Sequence, residues 1–268
     1  PKCVSALWAI GDPDVASAVE AAHDAAITAA LDWIEQEAGW TRTGRNGVNH
    51  ERVEGLVVSR WQHRTSRSGD PQLHTHCAVL NKGRTVSDGK WRALDGQTIY
   101  ASSAAGNARY LSALESELTD RLGVEWSAAN GTAREVVGIP SGLRSLWSKR
   151  AADIASAVRD EVGTPEGRGR AHHSARTYYR MLQGVRLRTR APKPDGPAPH
   201  PDELRNGWAT EMSEAGFDPD RILAGTLADR EHTVGEAVDV DRVVARVFES
   251  LHDQSSTWST WGVEAAVR

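Results

Sequence analysis

The sequence predicts an α+β fold: an antiparallel β-sheet covered by helices, with a mostly helical C-terminal appendage. Three observations carry that expectation. Apolar residues recur at helical spacing after Asp12-Pro13, and two strand-like runs flank the turn-forming Ser68-Gly69-Asp70-Pro71. Beyond Asp202 only short acidic helical patterns remain. With 268 residues, 39% of them hydrophobic and 25% charged, the chain can bury a sizeable core as one large domain or a domain with a smaller companion. No run of eighteen apolar residues exists, and Pro1-Lys2-Cys3 does not resemble a signal peptide, so the expectation is a cytoplasmic protein without a membrane partner. The two cysteines, Cys3 and Cys77, form neither a disulfide framework nor a CxxC zinc pattern, and Cys77 reads as a small apolar strand residue.

The elements follow in order. Asp12 as N-cap and Pro13 at the first helical position open a helix. Val15, Val19, Ala22, Ala26, Ala29, Ala30, Trp33 and Ile34 continue it at helical spacing until Gly39, with Trp33 and Trp40 as core anchors. Residues 41–50, TRTGRNGVNH, read as a flexible basic turn. A strand pair is expected from about Glu51 to His63 and from Leu73 to Lys82, with a short extension from Trp91 to Leu94. A second helix is expected from about Gln97 to Leu122, ending at Gly123, and a hairpin around Asn130-Gly131 from Val124–Ser127 and Arg134–Ile139. Pro140 starts a helix to about Val162, and a short helix is expected from His172 to Leu182. Thr189 to Pro201 holds five of the eleven prolines and reads as a linker. The organisation is therefore a core over 1–163, a basic, Pro-rich linker region over 164–201 and an acidic helical segment over 202–268.

The net charge of −4 conceals segregation: between Trp40 and Arg92 ten basic residues face four acidic ones. Inside that band lies HRTSRSGDPQLHTH, with His63, His74 and His76 within fourteen residues. His74 and His76 alternate across Thr75, so on a strand both imidazoles share a face, and a paired strand brings His63 to them. Three neutral imidazoles form a ligand set for a divalent metal with positions left open for substrate; the bland reading is a structural group of histidines. No HExxH, no Asp-His continuation of a binuclear hydrolase, no cupin glutamate and no GxxxxGK[ST] loop is present. What remains is a mononuclear all-histidine site beside arginines, suited to polarising a phosphodiester oxygen. Arg64 and Arg67, with Arg60 if it shares the face, are candidate phosphate contacts, and Lys82 and Arg84 join them as DNA-binding candidates.

HRTSRSGDPQLHTHCAVLN resembles the three-histidine motif of conjugative relaxases of the TrwC/TraI type, the MobF class of the HUH endonuclease group. Pro1-Lys2-Cys3-Val4-Ser5 is similar to that family's PKSVS-type stretch, and Trp91-Arg92-Ala93-Leu94-Asp95 to the strand after the motif. Ser256-Thr257-Trp258-Ser259-Thr260-Trp261 resembles the segment joining relaxase to helicase in actinobacterial members. The resemblance implies a DNA relaxase that nicks one strand at an origin of transfer by metal-assisted tyrosine transesterification, with His63, His74 and His76 as metal ligands. It implies Mg²⁺ or Mn²⁺, with Zn²⁺ as the alternative, and as partners single-stranded or hairpin DNA together with conjugation accessory proteins. The family's nucleophilic tyrosines lie upstream of the PKSVS-like stretch, so this chain is expected to be a fragment without its nucleophile. Tyr178-Tyr179 reads as DNA contact or helix packing, and Tyr100 and Tyr110 as helix packing. The competing readings are an HUH replication initiator or transposase, and a non-catalytic DNA-binding module.

Overall fold

A computed structural model describes residues 1–128, 134–163, 175–192, 196, 199–227, 244–249, 251 and 263. At its centre is a helix that sequence periodicity did not single out: α1, Lys2–Ile10, buried from Cys3 through Ala9. A helix apolar on every side is stable only when wrapped on every side. Leu7 and Trp8 are fully buried among Val15, Val19, Leu114, Leu118, Leu143, Trp147, Trp208 and Met212. Each such large side chain contributes about 1.5–3 kcal/mol by leaving water.

α2 spans Pro13–Ala38 and starts as its sequence predicts, the Asp12 carboxylate accepting from the Val15 N–H at 2.8 Å. Its buried stripe includes Val15, Val19, Ala22, Ala26, Ala30 and Trp33, whereas Ala29 is exposed and Ile34 half-buried. Between Ala26 and Ala30 the core-facing position is Ile27, and His23 is buried as well. The expected helix over 97–122 is two: α3, Gly96–Ala101, and α4, Ser103–Leu122, which packs on α2. Asp95 caps α3, its carboxylate accepting from the Gln97 N–H, and Gly123 ends α4 in the left-handed conformation. The expected helix from Pro140 is likewise divided into α5, Ser141–Leu146, and α6, Lys149–Gly163, because Trp147 turns into the core between them.

Residues 41–50 are not a flexible turn. Trp40–Thr43 forms β1, a 3-10 turn follows at Arg45–Gly47, and Asn49–Glu54 forms β2, with Thr41 opposite Glu51. The β-branched Thr41 is buried and its hydroxyl donates to the Ala93 carbonyl at 2.7 Å, so local composition yielded to packing. Trp40 is only half-buried; the Arg52 guanidinium lies 4.8 Å from its ring centroid.

The strand expected over 51–63 is also divided. Gly55 takes φ +72°, ending β2 and re-aiming the chain into β3, Val58–Thr65. β2 lies in a four-stranded sheet of order β1-β2-β5-β6, with β5 at Gly83–Thr85 and β6 at Trp91–Arg92. β3 pairs only with β4, Pro71–Val79, as a two-stranded antiparallel ribbon.

The C-terminal part supplies α7 at Ala175–Arg188, α8 at Pro201–Glu214 and α9 at Pro219–Thr226. α8 joins the central core: Trp208 meets Trp8 edge-to-face at 5.7 Å between ring centroids. Trp126 bridges Val136, as the expected hairpin requires, but Asn130-Gly131, His172 and part of the Thr189–Pro201 stretch lie outside the described residues.

Candidate metal centre

The β3–β4 register sets His63 directly opposite His74 and Trp61 opposite His76. Side chains alternate along a strand, so the three imidazoles and the Trp61 indole share one face of the ribbon. The ring centroids of His63, His74 and His76 are 5.1–5.3 Å apart. Imidazole nitrogens sit about 2.0–2.1 Å from a zinc-sized ion, which separates the centroids of rings sharing it by about 5 Å. The backbone thus sets the spacing that a shared ion demands. Among the described residues, as their side chains are placed, no three His, Cys, Asp or Glu groups form a set that could hold a metal ion. His74 Nδ1 lies 2.8 Å from the Gln72 carbonyl. That contact suits an Nδ1–H donor and leaves the Nε2 lone pair to ligate.

The hairpin end beside His63 and His74 is anchored to the helices. The Ser66 hydroxyl accepts from the Ser68 and Asp70 N–H groups, and Gly69 makes the turn with φ +80°. Trp208 Nε1 donates to the Gly69 carbonyl at 2.8 Å. Asp70, fully buried, accepts from the Lys149 N–H at 3.1 Å, while the Lys149 ammonium bridges it to Glu211.

Between the ribbon and α2 lies a cavity of about 530 Å³, bounded by Ile27, Leu31, Leu73, Cys77 and Tyr110 and also touched by His74. Polar residues of α2 at positions 20, 23, 24 and 28 cross to this side, a spacing that lines one helix face. His23 Nε2 meets the Thr75 hydroxyl at 2.9 Å, and its Nδ1 meets the Tyr110 hydroxyl at 2.8 Å. Burial lowers the His23 pKa to about 4, so it is neutral at pH 7, and raises that of Tyr110 to about 12. The Arg60 guanidinium bonds Asp24 at 3.0 Å and the Thr28 hydroxyl, and Arg64 bonds Glu20 at 3.0 Å while lying over Trp8. Arg60 therefore does not share the histidine face, and both arginines are engaged by α2.

The remaining predicted basic residues are exposed. Arg67, in the hairpin turn, donates to the Ala191 carbonyl at 3.3 Å. Lys82 follows β4, and Arg84 faces Glu54 at 3.8 Å. The positive field expected from residues 40–92 is thus partly offset by Glu20, Asp24 and Asp95, none of them within that band.

Among the tyrosines, only Tyr110 packs as expected of a helical residue. Tyr100 is 83% exposed on α3, and Tyr178 and Tyr179 are exposed on α7. Cys77 is half-buried on the cavity side, in keeping with a small apolar role. Sequence reasoning missed Glu20, His23 and Asp24. Their signal was a polar i, i+3, i+4 stripe on α2 beside its apolar one.

Residues 1–215 match the family model described as TrwC relaxase. The multifunctional conjugation protein TraI of Escherichia coli is 30% identical over 230 residues, an alignment covering 81% of this chain and 11% of that protein. The chain therefore spans about a tenth of that relative's length. Among solved structures, the conjugative relaxase TrwC in its metal-bound complex with oriT DNA is 30% identical, covering 82% of this chain and 70% of that one, with a TM-score of 0.66. TrwC with a 27-mer DNA comprising the recognition hairpin and the cleavage site is 29% identical, covering 82% and 72%, with a TM-score of 0.65. Among the described residues no helix is long and apolar enough to cross a membrane.

Proposed function

The chain belongs to the TrwC relaxase family, and from that premise we propose that it supplies the metal-binding part of a DNA strand-transferase site, holding an origin-of-transfer phosphodiester on the histidine face of the β3–β4 ribbon. The carrying observation is the convergence of His63, His74 and His76 at the spacing of rings that share one ion. A bound divalent cation would supply Lewis-acid polarisation of a non-bridging phosphate oxygen. The chain's own residues do the rest. The Gln72 carbonyl orients His74, and the anchored turn fixes the end of the ribbon where His63 and His74 sit. Arg67 and Lys82, exposed on either side of β4 in the chain, and Arg84, exposed on β5 of the four-stranded sheet, neutralise phosphates flanking the held one. Arg60 and Arg64 act from behind, as ties to α2.

The donor set refines the metal. Imidazole nitrogen favours first-row transition ions over Mg²⁺, so Mn²⁺ is the better fit of the two, and Zn²⁺ binds more tightly than either. The attacking hydroxyl is assigned to none of the four tyrosines. Tyr110 is bonded to His23 on the far side of the ribbon, and its burial opposes the phenolate. Tyr100, Tyr178 and Tyr179 stand exposed on α3 and α7.

Isothermal titration with MnCl₂ tests the site directly: one ion per chain is expected, and His74→Ala should abolish binding. Unchanged binding in that variant would leave a DNA-binding module whose histidines are structural. Incubation with Mn²⁺ and a labelled origin oligonucleotide, followed by denaturing electrophoresis, is expected to show no covalent adduct. An adduct would return the nucleophile to one of the four tyrosines.

A further inference from the structure

We propose that Trp61 is a stacking platform for the nucleobase next to the metal-held phosphate, a binding role on the same face as the triad that rests on the strand-transferase reading above. Trp61 leaves 54% of its surface in water although the chain has a core that buries Trp8, Trp33, Trp147 and Trp208. It stands directly opposite His76 and two residues from His63 on the same strand. Two residues along a strand is about 6.7 Å, and a single sugar links a phosphate to its own base. A base attached to a phosphate at the triad is therefore within reach of the indole.

The surroundings favour a flat, anionic occupant. The next pair along this face is Ser59 opposite Ala78, both small and exposed, so no bulky neighbour in the ribbon covers the side of the indole away from the histidines. Basic residues stand at both ends of the ribbon, Arg67 in the turn before β4 and Lys82 just after it. A single strand running along the face would meet Arg67, the three imidazoles, the indole and Lys82 in turn. Aromatic faces stack any base, while groups such as Arg67 and Lys82 hold the backbone. Trp61 would therefore fix the register of the strand without selecting its sequence.

The test uses fluorescence anisotropy of the full chain in Mn²⁺ with two labelled probes, dT12 and a twelve-unit abasic deoxyribose-phosphate strand. Trp61→Ala is expected to weaken dT12 binding roughly tenfold, the effect of one lost base–aromatic stack. It should leave abasic-strand binding and Mn²⁺ stoichiometry unchanged, and Trp61→Phe should restore most of the dT12 affinity. Equal loss on both probes, or no loss on dT12, overturns the stacking role while leaving the metal site intact. Failure of the parent chain to bind either strand overturns it together with the strand-transferase reading. Retained Mn²⁺ binding establishes that the alanine variant is folded.

Discussion

The two faces of the β3–β4 ribbon are built from alternate residues of the same strands and do opposite work. On the front, His63, His74, His76 and Trp61 present imidazole nitrogens and an aromatic surface. On the back, Arg60 and Thr75 are tied to Asp24, Thr28 and His23, and Arg64, where the β3–β4 register shifts between His63 and Thr65, is tied to Glu20. A two-stranded ribbon is marginally stable alone, so an open front face requires a back face held from elsewhere. Here α2 reaches across a cavity with polar side chains, and α1 meets β4 directly where the Ser5 hydroxyl accepts from the Leu73 N–H at 3.1 Å. Reactivity and support are separated by one residue in sequence and by the full thickness of the ribbon in space.

Substituting neighbours that point opposite ways separates the two faces most strongly. His76→Ala removes a proposed ligand and should lower Mn²⁺ affinity by at least roughly a hundredfold, beyond what loss of an outer partner costs. Its melting temperature in the absence of metal should change little, since His76 is exposed. Thr75→Val should do the reverse. It strands a buried imidazole nitrogen, which costs about 1–3 kcal/mol, while leaving all three histidines of the front face in place. Titration calorimetry and thermal melting of both variants separate the faces; similar profiles for the two would mean that the ribbon acts as one unit.

A second distinction is visible in pH. Burial lowers the His23 pKa from 6.5 to about 4. Between those values the unfolded chain takes up a proton that the folded chain refuses, so this stabilisation is full above about pH 6.5 and is lost as pH falls towards 4. Allowing for residual screening, the effect is about 2 kcal/mol. Denaturant melts at pH 7 and pH 4.5 should therefore differ more for the parent chain than for His23→Gln, whose amide does not titrate. An equal pH dependence in both would place the acid sensitivity in the carboxylates instead.

The contrast between faces also explains what could be read from sequence. The histidine face was legible because alternation across Thr75 and a turn at Ser68-Gly69-Asp70-Pro71 are local signals, and so were the N-cap at Asp12 and the stop at Gly123. The back face was not. Whether Arg60 turns towards phosphate or towards Asp24 depends on the register of β3 and on a helix thirty-six residues away, neither of which is encoded locally. The same holds for α1, whose all-round burial gives no amphipathic period to detect, and for Thr41, which occupies a basic, turn-like stretch yet packs as a core strand residue. Gly55 reads as a weak breaker in sequence; only its positive φ reveals that it divides one expected strand between two sheets.

The smallest expected effect tests the reassignment of the arginines. Arg64 is half-buried, bonded to Glu20 and stacked over Trp8, so Arg64→Ala should destabilise the fold by about 1 kcal/mol, the range of a partly exposed ion pair. If its charge is committed to α2, the salt dependence of oligonucleotide binding should be unaltered. Arg67→Ala should behave oppositely, leaving stability nearly unchanged while reducing the slope of log K against log salt by about 1, as loss of one phosphate contact does. Measuring the two slopes side by side discriminates between the faces even though each energy is small. A reduced slope for Arg64→Ala would mean that the arginine leaves Glu20 when DNA binds, and that the back face also contributes to recognition.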